Sequence, residues 1–392
     1  MSRFDVTIYG ATGYTGALVA ESLARYAPEG TRWALGGRSQ AKLEALRARF
    51  GALPCPPAGV VLARSDDRAS LDALAAQSRV VASTVGPFIR LGLPLVEACV
   101  AQGADYVDST GEPAFVGRLV SGLDAKARDA GLRLVPCAAF ESLPIDYGVW
   151  LTARALPPDA EHEVRGYVTA QGGISGGTWS SILEALADPS ETLRAQRELV
   201  PSAGRPVGRL ALGVHREPRL GRGWSCPMPS VDATIALRSA SVAPGYGRGL
   251  RYGHYLRLPN LAALVGLGVG FGAVALLARV GVLRRGLKRL LPAGSGPDAE
   301  AREAGTYRID WFGEGGGEAV HTRLYGTRDP GYEETGNFVA AAALALACER
   351  EALPDLHGVL SPVAALGEAG LTRLAAAGIR FSVPAGVRAA NG

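Results

Sequence analysis

Between residues 4 and 135 the chain alternates short runs of consecutive apolar residues with longer stretches whose apolar positions recur every three or four residues. The short runs have the length and β-branched content of strands buried on both faces, and the longer ones have the period of helices packed on one side. The pattern predicts a strand over Phe4–Tyr9 and then a helix carrying Leu18, Val19, Leu23 and Tyr26. Further strands follow at 32–36, 60–63, 80–84, 104–108 and 132–135, separated by helices over 39–50, 69–77, 93–102 and 115–130. Strict alternation of strand and helix predicts an α/β fold with a doubly wound parallel sheet, its ligands at the C-terminal ends of the strands.

Beyond Tyr147 the regularity fades. A strand at Glu163–Ala170, a glycine-rich turn, a helix over Trp179–Leu186 and loops rich in Pro, Gly and Arg predict a second, α+β domain. Near the end, Phe338–Glu351 reads as a strongly apolar helix and Leu371–Ala377 as a short one. The expected organisation is a first domain over 1–147, an inserted substrate or dimerisation domain over 148–335, and a C-terminal helical segment over 336–392 returning to the first.

The chemistry concentrates where the first strand ends. Gly10-Ala11-Thr12-Gly13-Tyr14-Thr15-Gly16 joins that strand to the first helix. Gly10 permits the turn, Gly13 lets backbone N–H groups approach a pyrophosphate, and Gly16 lets helix and strand pack closely, so a dinucleotide is the expected guest. At the end of the second strand a carboxylate would select an unmodified ribose, but this chain has Gly36-Gly37-Arg38-Ser39. Arg38 can pair with a 2′-phosphate in a fork and Ser39 can add a donor, which favours NADP(H). Asp66, after the third strand, is a candidate acceptor for the adenine amino group, with Asp67 beside it; helix capping is the competing role. Thr84, Val85, Gly86 and Pro87, after the fourth strand, are placed for the nicotinamide half.

Composition narrows the classes. The 392 residues carry a formal charge of only +4 with scattered arginines, which predicts no nucleic-acid partner. Five dispersed cysteines without a C-x-x-C pair suggest neither a disulfide framework nor zinc, and the five histidines lack paired spacing, so no metal site is expected. The first strand starts almost at Met1, which leaves no room for a cleavable leader and points to the cytoplasm.

Several blocks, in order, resemble the saccharopine dehydrogenase/reductase-like oxidoreductases, in particular the branch of trans-acting enoyl reductases. They are the 10–16 loop, Gly37-Arg38-Ser39, Thr84-Val85-Gly86-Pro87-Phe88, Tyr106-Val107-Asp108-Ser109-Thr110-Gly111-Glu112, and Phe140-Glu141-Ser142-Leu143-Pro144-Ile145-Asp146-Tyr147-Gly148. Gly176-Gly177-Thr178 and Gly358-Val359-Leu360-Ser361-Pro362 follow. The resemblance implies a Rossmann-type NADP domain, an inserted α/β domain and a returning C-terminal helix. Glu141 stands where similar proteins often carry Asp, and the presence of only Lys42, Lys126 and Lys288 argues against a lysine-dependent mechanism.

Hydride transfer to a carbonyl or enone needs a proton donor or oxyanion stabiliser near the acceptor. Tyr106 and Glu141 are the candidate catalytic groups, and Phe88, Asp108, Thr110, Glu112 and Ser142 are candidate substrate contacts; for Glu112 and Ser142 helix capping is the competing role. No Tyr-x-x-x-Lys pair occurs.

Residues 261–283 are apolar apart from Arg279, and Arg284, Arg285, Lys288 and Arg289 follow. A single span would separate the two parts of one domain, so the alternatives are peripheral contact with the inner face of a membrane or a buried or homodimer-interface helix. The expected function is an NADPH-dependent oxidoreductase reducing an apolar, lipid-like enone or carbonyl. The alternatives are a saccharopine-type amino-acid-conjugate dehydrogenase and a non-catalytic, lipid-associated NADP sensor.

Overall fold

The computed structural model describes residues 3–383, apart from 141, 172–178, 180–181, 184–185, 187–188, 202–203, 211, 229 and 291–304. In chain order the first elements are β1 (Phe4–Tyr9), α1 (Tyr14–Tyr26), β2 (Trp33–Gly37), α2 (Gln40–Arg49), β3 (Gly59–Leu62), α3 (Arg68–Ala76) and β4 (Ser78–Ser83). Then come α4 (Phe88–Leu91), α5 (Leu93–Gln102), β5 (Asp105–Asp108), α6 (Pro113–Asp129), β6 (Arg133–Val135) and α7 (Leu143–Arg154). These elements differ from the sequence expectation by a few residues at their ends, where capping decides the boundary. Asp67, for instance, accepts from the N–H groups of Ala69 and Ser70 and so starts α3 at Arg68.

Contacts divide the chain into two units, residues 1–143 with 331–379, and residues 144–330 with 380–392. The first unit is a seven-stranded sheet in the order β13-β6-β5-β4-β1-β2-β3, in which every pairing is parallel and β13 is Gly358–Val359. Its strands are near-continuous apolar runs because helices cover both faces. Tyr9 is in register with Gly36 on one side and Ser83 on the other, so β1, β2 and β4 end at one level. The chain turns from β1–β2–β3 back to β4 on the opposite side of β1, which makes the crevice between β1 and β4 the topological switch point.

The second unit contains β7 (Glu161–Gln171), α8 (Pro189–Glu198), β8 (Val207–Arg209), β9 (Trp224–Pro227), α9 (Asp232–Val242), β10 (Gly249–Leu258), α10 (Leu261–Ala278), α11 (Gly281–Leu290), β11 (Thr306–Gly315) and β12 (Glu318–Gly326). Its sheet runs β14-β12-β11-β7-β10-β8, where β14 is Phe381–Ser382, with β9 on β10, and mixes parallel β7–β10 and β10–β8 pairs with antiparallel neighbours. β11 and β12 form a hairpin turned by Gly316 and Gly317, both at positive φ. Trp311 is fully buried, and a Cβ at Gly148 of α7 would stand 2.2 Å from its ring, so the glycine is the space that the indole fills. The predicted Trp179–Leu186 helix and the Gly176-Gly177-Thr178 block fall largely outside the described residues.

The chain then returns to the first unit through α12 (Thr335–Cys348) and α13 (Pro362–Ala376). Residues 335–347 of α12 are all buried, as its apolarity on every side demands, and Ser22 of α1 donates to Asn337 at 2.7 Å. Two expectations for this region change. The helix expected at Leu371–Ala377 is only the second half of α13, because Gly367, at φ 48°, kinks it and breaks the apolar period. The segment after residue 336 is not wholly helical: β14 (Phe381–Ser382) pairs with β12 in the second sheet.

Residues 261–283 are two helices with a break near Arg279, and among the residues of α10 only Ala278 is buried. That speaks against the alternative in which this stretch is a buried core helix.

Candidate cofactor and substrate site

The loop between β1 and α1 closes on itself. Gly10 sits at φ +89°, its carbonyl accepts from Gly13 N–H at 2.9 Å, and the N–H groups of Gly10 and Ala11 both donate to the Gly36 carbonyl. A Cβ on Gly10 would meet Val85 Cγ2 at 2.6 Å and Thr84 Oγ1 at 2.9 Å, so this turn lies directly against the loop after β4. A Cβ on Gly16 would lie 2.1 Å from the Gly10 carbonyl oxygen, which only a glycine avoids. Gly13 is the N-cap of α1 and provides no side-chain cap; it and Thr12 are exposed, whereas Ala11 and Gly16 are buried and Tyr14 and Thr15 lie at intermediate depth. The first-turn N–H groups of a thirteen-residue helix therefore end at an open glycine-lined turn, the arrangement that receives a pyrophosphate.

The residues present fit NADP(H). Arg38 is exposed at the end of β2, and Ser39 caps α2 by position without using its hydroxyl as the cap. At the end of β2, where a ribose-binding carboxylate would stand, the chain has Gly37 and then Arg38. Asp66 is exposed after β3 and engaged by a neighbour. Arg64 donates to both its carboxylate oxygens, at 3.1 and 3.0 Å, and holds the carboxyl below its ordinary value, while Asp67 supplies the helix cap.

On the other side of the switch point, Thr84 N–H donates to Tyr9 O at 3.0 Å and Thr84, Val85 and Pro87 are partly open while Gly86 is exposed. Phe88 turns inward instead: it is 6% exposed and packs on Phe115 with ring centroids 5.6 Å apart, so it supports the loop rather than facing a guest. Glu112 fixes the same loop. Its two carboxylate oxygens accept from Phe88 N–H at 3.1 Å and Ile89 N–H at 2.8 Å, which occupies it as a cap for α4. The loops after β4 and β5 are thereby tied together.

The β5 end is more deeply buried than its polar sequence suggests. Asp108 Oδ1 accepts from Thr110 N–H at 2.9 Å and Cys137 N–H at 3.0 Å, and Thr110 Oγ1 accepts from Glu112 N–H at 3.1 Å. Burial pushes the Asp108 carboxyl up to about 7, against the opposing pull of those two N–H groups. Tyr106, one of the two expected proton donors, is fully enclosed in the core, and burial, with Asp108 beside it, holds its phenol well above the ordinary value. Its depth is the physical reason that it does not present a proton directly to a substrate. Ser142 is also buried, and its N–H donates to Ala139 O. Glu141, the other expected donor, lies outside the described residues.

Sequence reasoning missed Cys137. It stands just past β6 at φ 62°, a left-handed conformation that costs a non-glycine residue on the order of 1 kcal/mol or more, and it directs its N–H at Asp108. Nothing in a cysteine's identity announces this. Among the described residues no group of three His, Cys, Asp or Glu side chains is placed to hold a metal ion.

The raised Asp108 carboxyl has a consequence for stability. Its folded value, about 7, lies above the ordinary 3.8, so the native state binds more protons between these values. The stability it contributes is complete below the ordinary value and is lost as pH rises through about 7. Asp108→Asn, which keeps an acceptor for the two N–H groups, is expected to flatten that decline. Urea midpoints at pH 5 and pH 8 check this, and a variant whose midpoints fall with pH as steeply as the parent's would refute it.

Residues 6–135 match the family model described as the saccharopine dehydrogenase NADP binding domain. A Mycobacterium tuberculosis protein named as a candidate trans-acting enoyl reductase is 38% identical over 414 aligned residues, covering 96% of each chain. The chain belongs to this family. The trans-acting enoyl reductase of Mycobacterium leprae is 32% identical, over 96% of this chain and 97% of its own. Yeast saccharopine dehydrogenase (L-Glu forming) shares the fold with a TM-score of 0.54 and 15% identity, covering 97% of this chain and 99% of that one. As a member of the family, the protein is an NADP-dependent oxidoreductase of the saccharopine dehydrogenase-like group, and residues 6–135, which match the NADP-binding model, include the open glycine turn and Arg38.

Proposed function

We propose that the protein is an NADPH-dependent enoyl reductase that saturates the carbon–carbon double bond of an apolar, lipid-like α,β-unsaturated carbonyl substrate. The observation that carries this reading is the end-to-end relationship, 96% of both chains, to a protein named for trans-acting enoyl reduction. The geometry of the first unit supports it by supplying a cofactor cradle and a rigid loop at the switch point. The bound cofactor would supply a hydride for the β-carbon, and a proton must then reach the α-carbon.

Each of the chain's residues has a distinct task in this scheme. The Gly10–Gly16 turn and the start of α1 receive the pyrophosphate, Arg38 and Ser39 the 2′-phosphate, and Thr84 to Pro87 the nicotinamide half. Glu112 holds that last loop in place through Phe88 and Ile89. Asp108 exchanges its proton near neutrality and lies beside Tyr106, so this buried pair tunes the charge beneath the site rather than touching the substrate. The proton for the α-carbon comes from solvent or from Glu141.

Incubation with NADPH and a long-chain enoyl thioester is expected to give a saturated product, with deuterium at the β-carbon when the cofactor is deuterated at C4. Oxidation of NADPH by saturated ketones but never by enoyl thioesters would overturn the assignment. The cofactor preference has its own test. Arg38→Ala is expected to weaken NADPH binding by about 10- to 100-fold while leaving NADH unchanged, because the charge-assisted fork to the 2′-phosphate is lost. Fluorescence titration reads both constants, and equal losses for the two cofactors would remove Arg38 from the phosphate site.

A further inference from the structure

In the hairpin of α10 and α11, the first helix presents a large apolar surface that the other described residues leave uncovered. Within α10, Val265 is 56% exposed, Val269 69% and Leu276 67%, and Leu267, Phe271 and Leu277 are exposed as well. At about 100° per residue these positions lie on every side of the helix rather than in one stripe. A protein partner or a second copy covers a stripe, whereas a lipid phase surrounds a helix. Gly266, Gly268, Gly270 and Gly272 do not serve close packing within the chain, since a Cβ at any of them would meet nothing within 4 Å.

The neighbouring helix has the opposite character. In α11, Val282, Leu283, Leu287 and Leu290 occupy an arc of roughly 140°, and Arg284, Arg285 and Arg289 lie on the rest of the circumference. No carboxylate occurs from Leu261 to Pro297. A uniformly apolar helix followed by a basic amphipathic one matches acyl chains and anionic head groups respectively. Trp179, whose indole N–H donates to Leu287 O at 2.7 Å, adds an aromatic group suited to the boundary between the two.

The connections decide the topology. β10 and β11 both pair with β7, in opposite directions, so that Leu256 aligns with Val168 and Thr306 with Gln171. The excursion therefore leaves and re-enters the sheet at the same end, which a single crossing of a bilayer does not permit. α10 is 18 residues, about 27 Å long, more than enough to enter one leaflet at any tilt.

We infer that this hairpin is a monotopic membrane anchor: α10 dips into one leaflet of an anionic bilayer while α11 lies along its head groups. The inference does not depend on the substrate proposed above, and its test reads binding rather than turnover.

The full-length chain is floated with vesicles of phosphatidylcholine alone and of phosphatidylcholine with an equal share of phosphatidylglycerol. Two double variants accompany it, Val269→Glu with Leu276→Glu, and Arg285→Glu with Arg289→Glu. All four side chains are exposed, so folding should be undisturbed, and unchanged NADPH affinity confirms that. The parent is expected to float at least 10-fold more with the anionic vesicles, and both variants to lose at least 10-fold of that binding. Equal flotation of parent and α10 variant would overturn the insertion, and binding indifferent to phosphatidylglycerol or to the α11 charges would overturn the role of α11. A parent that ignores both vesicles but is a dimer by light scattering, dissociated by the α10 variant, would overturn the anchor in favour of an interface between copies.

Discussion

Alanine at Gly16 is expected to cost the protein its cofactor. The new Cβ would fall 2.1 Å from the Gly10 carbonyl oxygen, 2.8 Å from its carbon and 2.9 Å from Ala11 Cα, all of them backbone atoms that no rotamer can move aside. The helix must then back away from the strand by more than an ångström, and the first-turn N–H groups go with it. Overpacking of this kind costs about 1–3 kcal/mol, and the displaced donors add to the loss in binding. NADPH affinity should fall by about 100-fold or more, read by fluorescence titration, with far-UV circular dichroism showing that the fold persists. Gly13→Ala is the internal comparison, because its Cβ would approach only Gly10 O, at 3.2 Å, and its loss should be several-fold smaller. Binding of NADPH by Gly16→Ala within threefold of the parent would show that this turn is not the pyrophosphate cradle.

The second large effect belongs to Trp311. Its ring is fully buried, fills the space left by Gly148, approaches the position of a Cβ on Gly166 to 3.1 Å and lies 6.0 Å from the Phe381 ring. Trp311→Ala removes the side chain joining α7, β7, β11 and β14, and the glycines on either side have nothing with which to fill the cavity. Destabilisation of about 3–5 kcal/mol is expected, a large share of a total of roughly 5–15 kcal/mol. Urea unfolding followed by circular dichroism measures it. A loss below 1 kcal/mol would mean that the ring is not the keystone of the second sheet. Gly148→Val should be nearly as harmful from the opposite direction, by driving a side chain into the indole.

The first sheet was legible because its strands are buried on both faces and its helices on one, so period alone separates them. The turn between β1 and α1 was legible for a local reason: Gly10 takes a positive φ, and a Cβ on Gly13 or Gly16 would approach the Gly10 carbonyl oxygen, three or six positions away. Legibility ended where the partners lie far apart in sequence. Glu112 reads as a cap for its own helix, yet its oxygens serve Phe88 and Ile89, more than twenty residues earlier. Tyr106 reads as a proton donor because it belongs to the polar block at the ligand-binding edge of β5, yet it is fully buried, since alternation along a four-residue strand is too short to fix its side. Gly148 closed a block of family resemblance with no stated reason, and Trp311, distant in the chain, supplies that reason. The apolar stretch after Leu261 was visible at once, but only the structure separates a core helix from one that the chain leaves bare.

The clasp formed by Asp108, Thr110 and Glu112 divides the work within a five-residue loop. Its alternate positions are committed: Asp108 receives Thr110 N–H, Thr110 receives Glu112 N–H, and Glu112 secures the neighbouring loop. Gly111, between them, is exposed, and a Cβ there would meet nothing within 4 Å. Evolution, or an engineer, can therefore vary the side chain at the ligand-binding edge without disturbing the scaffold beneath it, and position 111 is where selectivity can drift at little cost to folding.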